Sequence, residues 1–154
     1  MRLLSITILL LAIVGCSSPT SYQTVPLADA TGSPVAPDMC RVYVARSAQT
    51  TGSARAVVFR IGGQTVGVLG ESGYLCMDRP VGRVVVEALY DGPKVDQPLD
   101  GSAIGNVGQF DGEPGVTYYF RVWIDPSSKV PQTERISADE GRALIATREP
   151  AEVR

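Results

Sequence analysis

The sequence predicts a mainly β protein, an antiparallel β-sandwich closed by one short C-terminal helix. Three observations predict it. Runs rich in Val, Ile, Tyr and Phe recur between residues 40 and 136, separated by Gly, Pro and Asp turns at intervals of about 8–12 residues. Residues 116–124 alternate strictly: Val116, Tyr118, Phe120, Val122 and Ile124 on one side, Thr117, Tyr119, Arg121 and Trp123 on the other. A helix signal, a capping box, stands only after the last strand.

Taken in order, residues 17–37 are Ser, Thr, Pro, Gly and Ala without apolar periodicity and read as a flexible tether. Residues 40–46 form a short strand. Residues 49–53 are turn-like, and residues 55–61 form a second strand. Gly62-Gly63 then turns the chain into a return strand over 64–69, because a tight type I′ hairpin needs positive φ at both central positions. Residues 73–77 form another short strand, Pro80-Val81-Gly82 a turn, and residues 83–90 an alternating strand with Val84, Val86, Ala88 and Tyr90 on one face. Residues 91–115 are rich in Asp, Gly and Pro and read as a long loop, with one edge strand within 103–110. After the strand at 116–124, a final strand covers 133–136. Ser137 and Glu140 make a capping box that starts a helix of about two turns ending at Ile145. Gly141 weakens that helix by up to about 1 kcal/mol. Residues 148–154 read as a disordered tail.

The N-terminus carries an address. Arg2 is followed by an apolar run over residues 3–14, too short to span a bilayer as a helix and of the right length for a secretory signal. Ile13-Val14-Gly15-Cys16 resembles the lipobox of bacterial lipoproteins. That resemblance implies cleavage before Cys16 and acylation of its sulfur and new amine, and several acyl chains on one residue make a stable anchor. Ser17, where inner-membrane lipoproteins carry Asp, implies the periplasmic face of the outer membrane. The chain thus divides into a lipoprotein signal peptide (1–15), a lipidated Cys16 with its tether (16–37), a β-sandwich domain (38–147) and a tail (148–154).

Three cysteines are an odd number. With Cys16 taken by lipid, Cys40 and Cys76 remain as a pair in an oxidising compartment, and a disulfide between them is expected, worth about 4 kcal/mol in the chain-entropy account. The alternative is two buried free thiols. The formal charge is −2 with both signs scattered, which speaks against nucleic acid as a partner. The expected partners are the membrane, through the lipid, and another envelope protein or a glycan.

The same pieces resemble an uncharacterised group of bacterial lipoproteins, domain-of-unknown-function family 2846. The resemblance rests on Arg41-Val42-Tyr43-Val44 with Arg46, and on Gly62-Gly63 with Val66-Gly67-Val68-Leu69. It continues in Gly73-Tyr74, Pro80-Val81-Gly82, Gly115 with Tyr118-Tyr119-Phe120-Arg121-Val122, and Glu140-Gly141 with Leu144. It covers about residues 38–146 and implies a transthyretin-like or carrier-type sandwich without an established activity. Where that family has Pro-Gly followed by histidine, this chain has Val81-Gly82-Arg83.

No histidine occurs in the chain. That removes the usual general base, the Ser-His-Asp and Cys-His systems and most transition-metal sites. Lys94 and Lys129 lie beside prolines in loop-like sequence and read as solvated. Asp91, Asp96, Asp100, Asp111 and Glu113 could serve glycoside hydrolysis if they converged, but Asp-Gly pairs are ordinary turn chemistry, and their spacing matches no EF-hand loop. The run Ile104-Gly105-Asn106-Val107-Gly108 lacks the Lys-Ser or Lys-Thr of a phosphate loop. No catalytic residue, cofactor or metal is therefore assigned. Alternation leaves Tyr119, Arg121 and Trp123 as the expected interaction surface, two aromatics flanking an arginine. The expected function is a non-enzymatic, lipid-anchored envelope protein with a binding or structural sandwich. Its alternatives are a hydrolase of wall or surface polymer using the loop carboxylates, and a small-ligand carrier.

Overall fold

The computed structural model describes residues 33–48, 56–90, 104–128 and 130–151. The signal segment with Cys16, most of the tether, Lys94, Lys129 and the loop carboxylates Asp91, Asp96 and Asp100 lie outside them. The elements are β1 (Met39–Arg46), β2 (Val57–Ile61), β3 (Gln64–Leu69), β4 (Gly73–Pro80), β5 (Gly82–Tyr90), β6 (Ile104–Gly112), β7 (Thr117–Ile124), β8 (Pro131–Ile136), α1 (Ala138–Ile145) and β9 (Glu149–Pro150). Among the described residues the protein is mainly β with one short helix. Among the described residues no helix is long and apolar enough to cross a membrane.

Two sheets form. One has the order β8-β7-β1-β4-β9 and the other β3-β2-β5-β6. The second is antiparallel throughout, and its β2–β3 hairpin turns at Gly62 and Gly63 with φ of 58° and 77°. The first is mixed: β1 pairs β4 antiparallel but β7 in parallel, and β4 pairs β9 in parallel. The chain leaves β1, builds all four strands of the other sheet and β4 of its own, and returns to β7, a connection long enough to bring a strand back in the same direction.

Alternation supplies the core. Val42 and Val44 of β1, Met77 of β4, and Phe120, Val122 and Ile124 of β7 meet Phe59 and Ile61 of β2 and Val84, Val86 and Ala88 of β5, all buried between the sheets. Phe110 of β6 packs on the rings of Tyr118 and Phe120, with centroids 4.5 and 5.3 Å away. Gly112 crosses over Cys40, where an added Cβ would come within 2.6 Å of the Cys40 sulfur.

Among the described strands the chain switches sheet four times, and two of those switches, after β4 and after β6, lie at the end where the chain enters β1. At Val81 the chain passes from β4 to β5, and the Val81 N–H donates to the Asp38 carbonyl (3.2 Å). Between β6 and β7 the Gly115 N–H donates to the Met39 carbonyl (2.8 Å), with Gly115 at a φ of 73°. Tyr118 locks this second corner. Its hydroxyl donates to the Asp111 carbonyl (3.1 Å) and accepts from the Glu113 N–H (3.0 Å), the job a tyrosine corner does in sandwich folds.

Three elements differ from expectation. β4 runs on to Pro80, and β8 starts at Pro131. The C-terminal tail is not disordered through residue 151: Glu149 and Pro150 stand beside Gly73 and Tyr74, and the Ala151 N–H donates to the Tyr74 carbonyl (2.7 Å). A two-residue parallel strand has no periodicity, and pairing to the β4 edge orders it instead. Replacing Tyr118 by Phe removes both corner hydrogen bonds inside a buried site. The variant is expected to lose about 1–2 kcal/mol in urea unfolding while keeping its far-UV β signature.

Candidate functional site

Strand β1 is buried on both faces of its sheet. Its inner face meets the other sheet, and α1 lies across its outer face. Three cross-strand rows make up that outer face. Thr117, Arg41 and Asp78 form one, Tyr119, Tyr43 and Cys76 the next, and Arg121, Ala45 and Tyr74 the third. Tyr43, Ala45, Tyr74, Cys76 and Tyr119 bury together against Ile145 of the helix, with Ile136 and Leu144 at the margin.

Gly141 makes that approach available. Its backbone rests on the Tyr119 ring so closely that a Cβ there would lie 2.2 Å from Tyr119 Cγ. Tyr119 in turn stacks on Tyr43, centroids 5.2 Å apart and planes within 6°. The expected capping box is present: Glu140 N–H donates to Ser137 Oγ (3.3 Å), and the Glu140 carboxylate accepts from the Ser137 N–H (3.0 Å). Those hydrogen bonds, with the upstream hydroxyl, hold the Glu140 carboxyl below the usual range.

At the other end of the face, Arg41 is 3% exposed and grips Asp78 in a two-pronged pair, Nε to Oδ1 at 2.7 Å and Nη2 to Oδ2 at 2.9 Å. Its third nitrogen donates to the Ser33 carbonyl (2.9 Å). The pair therefore also clips the chain that leads into the domain. The hydrogen bond to Asp78 drives the Arg41 pKa further up, so the guanidinium is charged at every relevant pH.

The cysteines do not pair, which corrects the expected disulfide. Both Cys40 and Cys76 are free and buried. Cys40 points into the core between the sheets, whereas Cys76 stands opposite Tyr43 on the outer face. Alternation has sent them to opposite sides of one sheet, where no rotamer brings their sulfurs together. Burial pushes the Cys40 thiol up, and pushes the Cys76 thiol up to about 11 against the opposing pull of a hydrogen bond from Tyr43 and the charge of Arg41. Both are inert thiols near neutral pH. Tyr74 is likewise pushed up to about 12 by burial, and its hydroxyl has no hydrogen-bond partner among the described residues.

Of the expected interaction surface, Tyr119 is corrected. Tyr119 is 9% exposed, beneath α1. Arg121 and Trp123 extend past the helix and remain half-buried. Arg121 pairs with Glu134 across the strand (2.5 Å) and lies 5.6 Å from the centre of the Trp123 ring. Trp123 stands opposite Gln132. Asp111 and Glu113 are exposed beside the Tyr118 corner, and among the described residues no cluster of three acidic or cysteine ligands could hold a metal.

An open groove of about 450 Å³ lies where β8 parts from β7 and α1 begins, lined by Thr117, Tyr118, Tyr119, Arg135, Ser137 and Ala138 among others. Arg135 holds its guanidinium 4.7 Å from the centre of the Tyr118 ring. The sequence reading missed this groove because Arg135 and Thr117 are ordinary strand residues until the helix start separates the two strands. Gly141 was legible only as a helix weakness, although a glycine inside an otherwise helical pattern also signals close packing.

No protein-family model matches the chain, and no curated protein or solved structure matches it either.

Two outcomes follow from the outer face. Gly141→Ala gains about 1 kcal/mol of helix propensity, but the overlap with Tyr119 forces the ring or the helix to shift, at about 1–3 kcal/mol. The overlap wins, so urea unfolding should show a less stable variant with altered near-UV tyrosine signals. Cys76 supplies a pH dependence. Its folded pKa lies above the ordinary thiol value, so the unfolded state loses its proton first, and the stability it contributes is complete below about pH 9 and is lost as pH rises toward about 11. Cys76→Ala should flatten this alkaline slope in unfolding curves measured from pH 8 to 11.

Proposed function

We propose that this protein is a lipid-anchored component of the bacterial cell envelope whose β-sandwich binds a partner rather than catalysing a reaction. The observation that carries the reading is the N-terminal segment, Arg2 and an apolar run closing on Ile13-Val14-Gly15-Cys16. The ordered likeness to the lipoproteins of domain-of-unknown-function family 2846 supports it.

The described residues agree with such an arrangement. Arg41 ties Ser33 to the first strand, so a tether from Cys16 would enter the domain at one fixed point, beside the start of β1. As the tether expected from their composition, residues 16–33 would have an r.m.s. reach of about 5–6 Å times the square root of their number, roughly 20–25 Å. The domain would then stand clear of the lipid headgroups with its far surfaces available. The part of the outer face left uncovered by α1 carries Trp123, Arg121, Gln132 and Glu134, an aromatic with hydrogen-bonding neighbours of the kind that anchors recognition of a protein or glycan.

The lack of histidine and the raised pKa of both buried thiols support a binding rather than a catalytic role. Substituting Cys16 by Ser tests the anchor. Cell fractionation should move the protein from the membrane to the soluble fraction, and mass spectrometry of the wild-type N-terminus should find an acylated Cys16. An unmodified Cys16, or unchanged membrane association of the variant, would refute the reading.

A further inference from the structure

Where β8 leaves β7, the sheet opens. Their register ends at Tyr119 opposite Ile136, and Thr117 has no residue of β8 opposite it. Val116 and Val122 turn their carbonyls to the N–H groups of Arg41 and Ser47 at the β1 side. The odd-numbered residues of β7 therefore direct their main-chain groups to the other edge. Thr117 thus presents an N–H and a C=O along the groove, an unfilled rung of the sheet.

Arg135 faces the same groove and, among the described residues, is the only charged one that lines it. Among the described residues it takes part in no ion pair, and its guanidinium is held over the Tyr118 ring. Stacking of this kind fixes the plane of the fork and leaves its N–H edge for a planar anion. The carboxylates of the first helical turn are engaged elsewhere: Glu140 accepts from Ser137, and Asp139 pairs with Arg142 (2.5 Å). The groove volume lies within the range of small-ligand clefts, about 300–1,000 Å³.

We propose that this groove binds the C-terminal end of an extended peptide. The peptide main chain continues the sheet beyond Ile136 by pairing with Thr117, and its terminal carboxylate accepts two N–H donors from Arg135. A lone carboxylate or an acidic sugar would use Arg135 only; the vacant strand edge beside it selects a peptide. This assignment rests on the binding-module reading but not on the lipid anchor.

Amide-resolved NMR titration of the full chain in detergent micelles tests it. The probes are N-acetyl-trialanine with a free carboxylate, the same peptide amidated at its C-terminus, and acetate. The free acid should shift the amide signals of Thr117 and Ala138 and bind at least tenfold more tightly than either other probe. Arg135→Gln should abolish that advantage, Arg135→Lys should keep part of it, and Arg142→Gln should keep all of it. Equal binding of acid and amide, acetate binding as tightly as the peptide, shifts confined to other surfaces, or no binding at all would each overturn the proposal. None of these outcomes alters the behaviour of Cys16→Ser in fractionation, so failure here is distinguishable from failure of the anchoring reading.

Discussion

Gly141 lets the backbone of α1 rest on the ring of Tyr119, Tyr119 stacks on Tyr43, and Tyr43 stands beside Cys76. Much of the outer face depends on this short chain of contacts, because it turns a two-layer sandwich into three layers at the position of β1. A strand covered on one face alternates apolar and polar residues. β1 is covered on both, and all of its residues from Cys40 to Arg46 are buried. The polar members of the strand must then be satisfied in place, and the two-pronged pair of Arg41 with Asp78 does that on the outer face. Breaking such a pair from one side leaves a buried charge without its partner, a cost of about 3–5 kcal/mol in enclosed sites.

The same layering explains which parts of the molecule were legible in the sequence. Strands whose inward residues alternate, β5 and β7 above all, stand where their pattern put them. So do the hairpin at Gly62-Gly63 and the capped helix, because turn and cap chemistry is local. The identity of the outer face was not legible. Alternation says that Tyr119, Arg121 and Trp123 share a side, but it says nothing of whether a later element will cover that side. The helix covers Tyr119 and leaves Trp123 half-buried. The parallel pairing of β1 with β7 and the short β9 are likewise non-local, fixed by where the chain returns after building the other sheet.

The cysteines show the limit most directly. Parity and compartment argued for a bridge between Cys40 and Cys76. Strand register decides otherwise, because even-numbered positions of β1 point inward while Cys76 shares a row with Tyr43. Cys40 instead packs in the apolar core, and Cys76 beside Tyr43. The candidate site followed a similar path: the groove exists because a strand and a helix diverge at Ser137. The features that matter there, a strand edge at Thr117 and an arginine that are both unpaired among the described residues, emerge only from pairing.

The account stands on sheet parity, and the state of the two thiols measures it. Treating the purified full chain with an alkylating reagent, first folded and then denatured without reductant, and locating the label by peptide mass spectrometry reads both burial and pairing. The account predicts that Cys40 and Cys76 resist the reagent in the folded protein at neutral pH and that both are labelled after denaturation. A Cys40–Cys76 cross-linked peptide, or labels absent until a reductant is added, would contradict it.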